Sequence, residues 1–344
     1  MRVMTYEQLE EFFESKRFPS DEMRSRGPIL PMEKISMDDR YLISEIACKA
    51  YTSEGNADQL HIEEVLLDAY RLAGSGRIKV KTLFDKESRM AKDAPDKQMM
   101  LELAAEEFME EEVANEDEIK AKVSSIAKRF VVARDAAHRN TRLYLSFVSE
   151  LDVYVATSMR QRDDFRNMAR DCDYIFRQPE LLDLKVRYFD PTISAAHGHE
   201  DKGLIECLMV KCSKAVLYFA GERDSFGKDA EIAMAMSLGK PVIILCPDTP
   251  AGQRRENFFR DVHPLSRLIE FRTGVAIGAM VTRDRNIATE LLNRLFSNNM
   301  EYDFEQKGNG YFRLRERQTK SVVRLQTNWK LLREAFWNNY HETP

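Results

Sequence analysis

No apolar stretch of this 344-residue chain approaches the roughly 20 residues that a membrane helix requires; runs such as 242–246 are among the longest. Glycine and proline are scarce, at 14 and 11 positions, which excludes collagenous and low-complexity chains, and a hydrophobic content of 43% excludes a wholly disordered one. Cysteines are few, odd in number and scattered: Cys48, Cys172, Cys207, Cys212 and Cys246 read as reduced thiols. Cys207 and Cys212 have no second Cys or His pair at metal spacing, so no metal site is expected. An apolar leader is missing as well. Glu7, Glu10 and Glu11 stand where a signal peptide needs hydrophobic residues, which points to the cytoplasm. A net charge of −5 provides no global attraction to nucleic acid.

The charges that are present are unevenly placed. Residues 106–118 hold eight acids, interleaved with Phe108, Met109 and Val113. Residues 307–333 hold eight basic residues against Glu316 alone, a local excess of +7. Contact between the two regions, within or between subunits, accounts for both; a nucleic-acid surface built from Arg313, Arg315, Arg317, Tyr311, Phe312 and Trp329 is the less favoured alternative.

The length suggests about two domains. Residues 1–149 look helical, with apolar positions at helical spacing at Tyr41, Leu42 and Ile46 and again at Ile62, Val65 and Leu66. From 150 the texture changes. Short apolar runs at 151–157, 184–189, 215–220 and 242–246, with a weaker one at 268–271, alternate with helical segments at about 161–172, 200–212, 228–238 and 284–297. That alternation predicts an α/β domain over 150–300: a small, doubly wound, flavodoxin-like or Rossmann-like sheet, mostly parallel and covered on both faces. Its ligand crevice should lie at the carboxyl ends of the strands. Residues 301–344 form a basic appendage, with a hairpin turn at Gly308-Asn309-Gly310 and a final helix carrying Trp329, Leu332 and Phe336.

The most informative segment runs from Ala220 through Ser225-Phe226-Gly227-Lys228-Asp229-Ala230-Glu231 to Leu238-Gly239-Lys240-Pro241-Val242. Gly227 allows a close turn at the helix start, and Asp224 or Ser225 can cap the first amides. Glu231 falls beside the crevice while Ile232, Ala235 and Leu238 face the sheet. A carboxylate there is poorly placed for packing and well placed for a ligand, although a helix-start acid can simply complement the dipole.

This pattern, Ser-x-Gly-x-x-x-Glu followed by Leu-Gly-Lys-Pro-Val-Ile, resembles the signature of the nucleoside 2-deoxyribosyltransferase-like proteins, relatives of TIR domains. The resemblance covers about residues 152–247. It implies that Glu231 is the nucleophile at the anomeric carbon of a (deoxy)ribose N-glycoside. Ser225 stands where the deoxyribosyltransferases usually carry Asp, as in the 2′-deoxynucleoside 5′-monophosphate N-glycosidases, whose Ser contacts phosphate. The strand and loop Val153-Tyr154-Val155-Ala156-Thr157-Ser158-Met159-Arg160 are similar to that branch's opening strand and phosphate loop, which implies substrate contacts for Ser158, Arg160 and Arg162. Asp190, at a strand end, is suited to sugar hydroxyls. Asp229, Asp224, His197 and His199 are candidates for protonating the leaving base.

The expected function is therefore N-glycosidic cleavage of a nucleotide, a monophosphate or NAD, by hydrolysis or base exchange and without a cofactor. The alternative is a nucleotide-sensing module that does not cleave. Relatives fused to helical domains suggest a nucleotide-depleting defence or stress effector, in which residues 1–149 serve regulation or assembly through a protein partner. A homo-oligomer is the expected state, since related enzymes build pockets at subunit contacts.

Overall fold

The computed structural model describes residues 17–40, 51–52, 55–56, 58–64, 67, 116–157, 162–197, 199–221, 225–262, 267–270, 276–306 and 312–326. Two short antiparallel strands, β1 (Tyr51–Thr52) and β2 (Gly55–Asn56), interrupt the segment expected to be helical. The centre is a five-stranded parallel sheet made of β3 (Val153–Thr157), β4 (Tyr188–Phe189), β5 (Ala215–Phe219), β6 (Val242–Leu245), which helix α7 (Pro250–Asn257) follows, and β9 (Met280–Thr282). Counted along the chain, their spatial order is 2-1-3-4-5. The chain is thus of the α/β class.

Side-chain alternation explains why both faces of the sheet are covered. Tyr154, Ala156, Val216, Tyr218, Val242 and Ile244 pack into one core with α5 (His199–Cys212), α6 (Phe226–Ser237) and the 31-residue α2 (Glu116–Ser146). Val153, Val155, Leu217, Ile243 and Leu245 point the other way, into a core with α3 (Arg162–Phe176), α4 (Pro179–Asp183) and α8 (Arg285–Phe296). Successive residues of a strand face opposite sides, so a strand buried on both must be apolar throughout. That is why these strands read as unbroken apolar runs.

Two expected strands come out differently. The 184–189 run yields only Tyr188–Phe189, because 179–183 closes as α4 with Leu184 at its C-cap and Lys185 at a positive φ of 50°. The fifth parallel strand is not 268–271 but β9, whose three residues are all buried. Met280 packs into one core and Val281 into the other. A strand of three residues is too short for periodicity to reveal.

The weaker run instead forms β7 (Arg267–Ile269) in a second sheet of order β10-β11-β12-β8-β7, antiparallel throughout. Here β8 is Ala276–Gly278, β10 Tyr302–Gln306, β11 Phe312–Glu316 and β12 Val322–Gln326. The expected hairpin is present as the β10/β11 pair, and β12 joins it to β8, so this sheet draws strands from both sides of residue 300. Its basic residues are matched locally: Arg315 with Glu305 at 2.9 Å, Arg317 with Asp303 at 2.8 Å and Arg324 with Glu270 at 3.0 Å. The acidic run up to 115 and the tail from 327, including Trp329 and Phe336, lie outside the described residues.

Within the 1–149 segment, residues from 17–40 and from the second half of α2 pack on the same cores as the sheet. Met23 of α1 (Ser20–Ser25) joins the second core, and Ile35 with Ala133, Ala137 and Tyr144 joins the first. Asn140 ties the two stretches further, accepting from the Glu33 amide and donating to the Ile193 carbonyl. No described helix is long and apolar enough to cross a membrane.

The Leu-Gly-Lys-Pro turn shows why glycine is needed there. Gly239 ends α6 with a φ of +74°, while Lys240 N–H donates to Ala235 and Gly239 N–H to Met236, the paired bonds of a Schellman cap. A Cβ at 239 would collide with the Glu270 carboxylate. Gly239→Ala should therefore lower unfolding stability by about 1–3 kcal/mol, the ordinary cost of strained backbone. An unchanged urea midpoint would show that the turn relaxes freely.

Candidate active site

In an open parallel sheet, ligands bind at the carboxyl ends of the strands, where neighbouring connections leave in opposite directions. In this order that point lies between β3 and β5. The chain leaves β3 for the outer β4, then returns past it to β5, and α6 starts from the carboxyl end of β5. Glu231 is carried into this region on the second turn of α6, where it is only 8% exposed. A dipole-complementing acid belongs in the first turn, and Asp229 occupies that place. Burial thus sets Glu231 apart from the bland reading of its position.

Its two carboxylate oxygens differ. Oε1 accepts a hydrogen bond from Lys228 Nζ at 3.0 Å, one turn earlier on the same helix. Oε2 is buried and has no hydrogen-bond partner. The hydroxyl of Tyr154, on β3, is likewise buried and unpaired. The phenol nonetheless lies close enough to Glu231 to act on it as a weak hydrogen-bond donor, although no hydrogen bond of normal geometry joins them. Lys228 is shared, because its Nζ also lies 3.1 Å from Glu206 Oε1 on α5.

Two carboxylates therefore surround one ammonium in a poorly solvated place. Burial raises the Glu231 pKa, Lys228 pulls it back, and the Glu206 charge raises it again. For Lys228, burial lowers the pKa but the charges of Glu231 and Glu206 outweigh it, so the ammonium is held above its ordinary value. Burial and then the charge of Glu231 push the Tyr154 phenol well above its usual range. A protonated phenol beside a partly desolvated carboxylate can donate to an anion, or to an oxygen on which charge develops.

Other expected residues fall in different surroundings. Asp229 accepts from the Tyr218 hydroxyl at 3.3 Å; two residues from Glu231 on a helix, it faces another way. Ser225 occupies the N-cap of α6, yet its hydroxyl makes no capping bond; Asp224, the other expected cap, lies outside the described residues. Gly227 is not required for the turn either: its φ is not positive, and a Cβ there would meet nothing within 4 Å. Among the described residues, nothing fills the space beside Gly227 and no side chain caps the helix start.

Asp190 is committed to structure. Its Oδ1 caps the turn Pro191–Ile193 through the Thr192 amide at 2.8 Å and the Thr192 hydroxyl, and its Oδ2 lies 3.4 Å from Arg40. Burial raises its pKa against the opposing charge of Arg40. His197 packs on the buried ring of His138, with centroids 4.3 Å apart. Ser158, Arg160 and Asp224 lie outside the described residues, as do the side chains of Arg162 and His199.

Comparison with family models, curated proteins and solved structures finds no match to this chain. The site therefore stands on its geometry.

Sequence reasoning passed over Lys228 and Glu206. Lys228 sits inside the informative segment, and its i, i+3 spacing to Glu231 was a usable signal. Glu206 had none, because the fold alone brings α5 against α6.

Proposed function

We propose that this chain cleaves the N-glycosidic bond of a nucleotide, with Glu231 as nucleophile. The observation that carries the reading is a buried carboxylate with one unpaired oxygen at the switch point of a parallel sheet. The doubly wound, flavodoxin-like character of that sheet supports the same reading. In the proposed step a C1′–O bond forms to Glu231 as the C1′–N bond breaks. The departing base takes a proton, and water, or a second base, then opens the sugar ester. Only ionised Glu231 can attack. Since burial raises its pKa, base release should decline on acidification from a pH above the ordinary carboxylate range.

The start of α6, which Ser225 does not cap, suits a phosphate, because first-turn amides and the helix dipole favour an anion. Ser225 would donate its unengaged hydroxyl, and Gly227 would leave room for the ligand. The test is incubation of the full chain with nucleoside monophosphates, deoxynucleosides and NAD, followed by chromatography for free base. Release from one class supports the proposal. Tight nucleotide binding with no release would favour a nucleotide sensor instead.

A phosphate pocket has a further consequence. Ser225→Ala should weaken monophosphates relative to nucleosides by roughly 10- to 100-fold in kcat/KM, the worth of a charge-assisted hydrogen bond. Gly227→Ala should fold normally, since no atom opposes the new methyl group, and should lose monophosphates selectively. Equal losses on both substrate types would refute the phosphate assignment.

A further inference from the structure

Three charged side chains converge on the candidate site from two helices: Glu206 on α5, and Lys228 and Glu231 on α6. All are largely removed from solvent, with side-chain exposures of 16%, 17% and 9%. One ammonium serving two carboxylates leaves the cluster with a net negative charge. Such an arrangement is a weak device for stability, because desolvation of three ions offsets most of their attraction. Its asymmetry is more informative. The ammonium holds one oxygen of Glu231, the other makes no hydrogen bond of normal geometry, and Glu206 shares the same ammonium.

We propose that Glu206 and Lys228 are positioning residues: together they fix Glu231 by Oε1, so that Oε2 is the attacking atom. The attacking-atom part of this inference rests on the glycosidase reading, whereas the charge coupling does not. When Oε2 forms the sugar ester, Glu231 loses its negative charge, and Lys228 keeps an anionic partner in Glu206. The ammonium then remains in place to receive the carboxylate when the ester is opened. Without Glu206, Lys228 would be left as an unpaired buried cation at the intermediate, at a substantial electrostatic cost.

Among the described residues, the groups facing Glu231 are Lys228 on its own helix, Glu206 on α5 and Tyr154 on β3; Cys207 on α5 bears on Tyr154. The two positioning residues act with opposite sign. Lys228 favours ionised Glu231 and Glu206 opposes it. Lys228→Met should therefore move the titration of Glu231 to higher pH, and Glu206→Gln should move it to lower pH. A merely structural role would not produce opposed displacements.

The measurement is carbon-13 NMR of the full chain with labelled glutamate carboxyls, titrated without substrate, with the Glu231 signal assigned by its loss in Glu231→Gln. Opposite displacements in Lys228→Met and Glu206→Gln are expected, and Lys228→Arg should restore the midpoint toward wild type. Displacements of the same sign, or none, would overturn the inference. In parallel, kcat/KM at neutral pH should fall roughly 10- to 100-fold in Lys228→Met, with recovery in Lys228→Arg. If the titrations behave as described while no variant, nor the wild type, releases base from any nucleotide, the charge coupling stands. In that case the glycosidase reading, and with it the attacking-atom assignment, is wrong.

Discussion

Glu231→Gln should abolish base release, with a loss of at least about 10³-fold in kcat, because an amide of nearly the same volume removes the nucleophilic charge. Folding should survive the change. Glu206 still pairs with Lys228, and the Gln carbonyl can accept the bond that Oε1 now receives. The substitution also removes a carboxylate that burial makes reluctant to ionise, so the thermal midpoint at neutral pH should not fall. Binding of substrate should be nearly unchanged by calorimetry. Full base release by the variant would take Glu231 out of the chemistry altogether.

Asp152→Ala should cost the most stability, about 3–5 kcal/mol, the usual result of removing one member of a buried charge network. Asp152 is fully buried at the start of β3. Both its oxygens accept from Arg26, at 2.8 and 2.9 Å; Lys214 adds a bond of 2.6 Å and the Arg187 amide one of 2.8 Å. Deleting the carboxylate strands Arg26 and Lys214, whose side chains are only 11% and 22% exposed. It also removes one of the ties that hold residues 17–40 against the start of β3. Urea unfolding should show a lower midpoint, and limited proteolysis should cut near residue 26 earlier than in the wild type. A loss below about 1 kcal/mol would mean that the network merely decorates the fold.

These two residues mark the limits of what patterns along a chain convey. Glu231 was legible because its surroundings are local: a strand, a polar loop and an amphipathic helix follow in order, and a carboxylate interrupts the side where packing would want an apolar residue. Asp152 was not. Its partners come from residues 26, 187 and 214, and nothing in the neighbourhood of any one of them announces the others. The same holds for Glu206, which belongs to the site only because α5 lies against α6. Gly227 and Ser225 were legible as positions but not in their reasons. Glycine there answers no strain in the backbone, and the serine caps nothing.

By itself, then, the sequence determined the α/β class, the three long central strands and the helices between them. Continuous apolar strands and 3.6-residue periodicity are consequences of burial on two faces or on one, and burial is written into residue type. Only the tertiary structure decided which short segments complete the sheet. The strands β4 and β9 have two and three residues and acquire their place from neighbours that supply hydrogen bonds and apolar cover. It alone also decided the charge state around Glu231. That depends on how far water is excluded and on which distant charges share the same small volume, quantities that no linear pattern encodes.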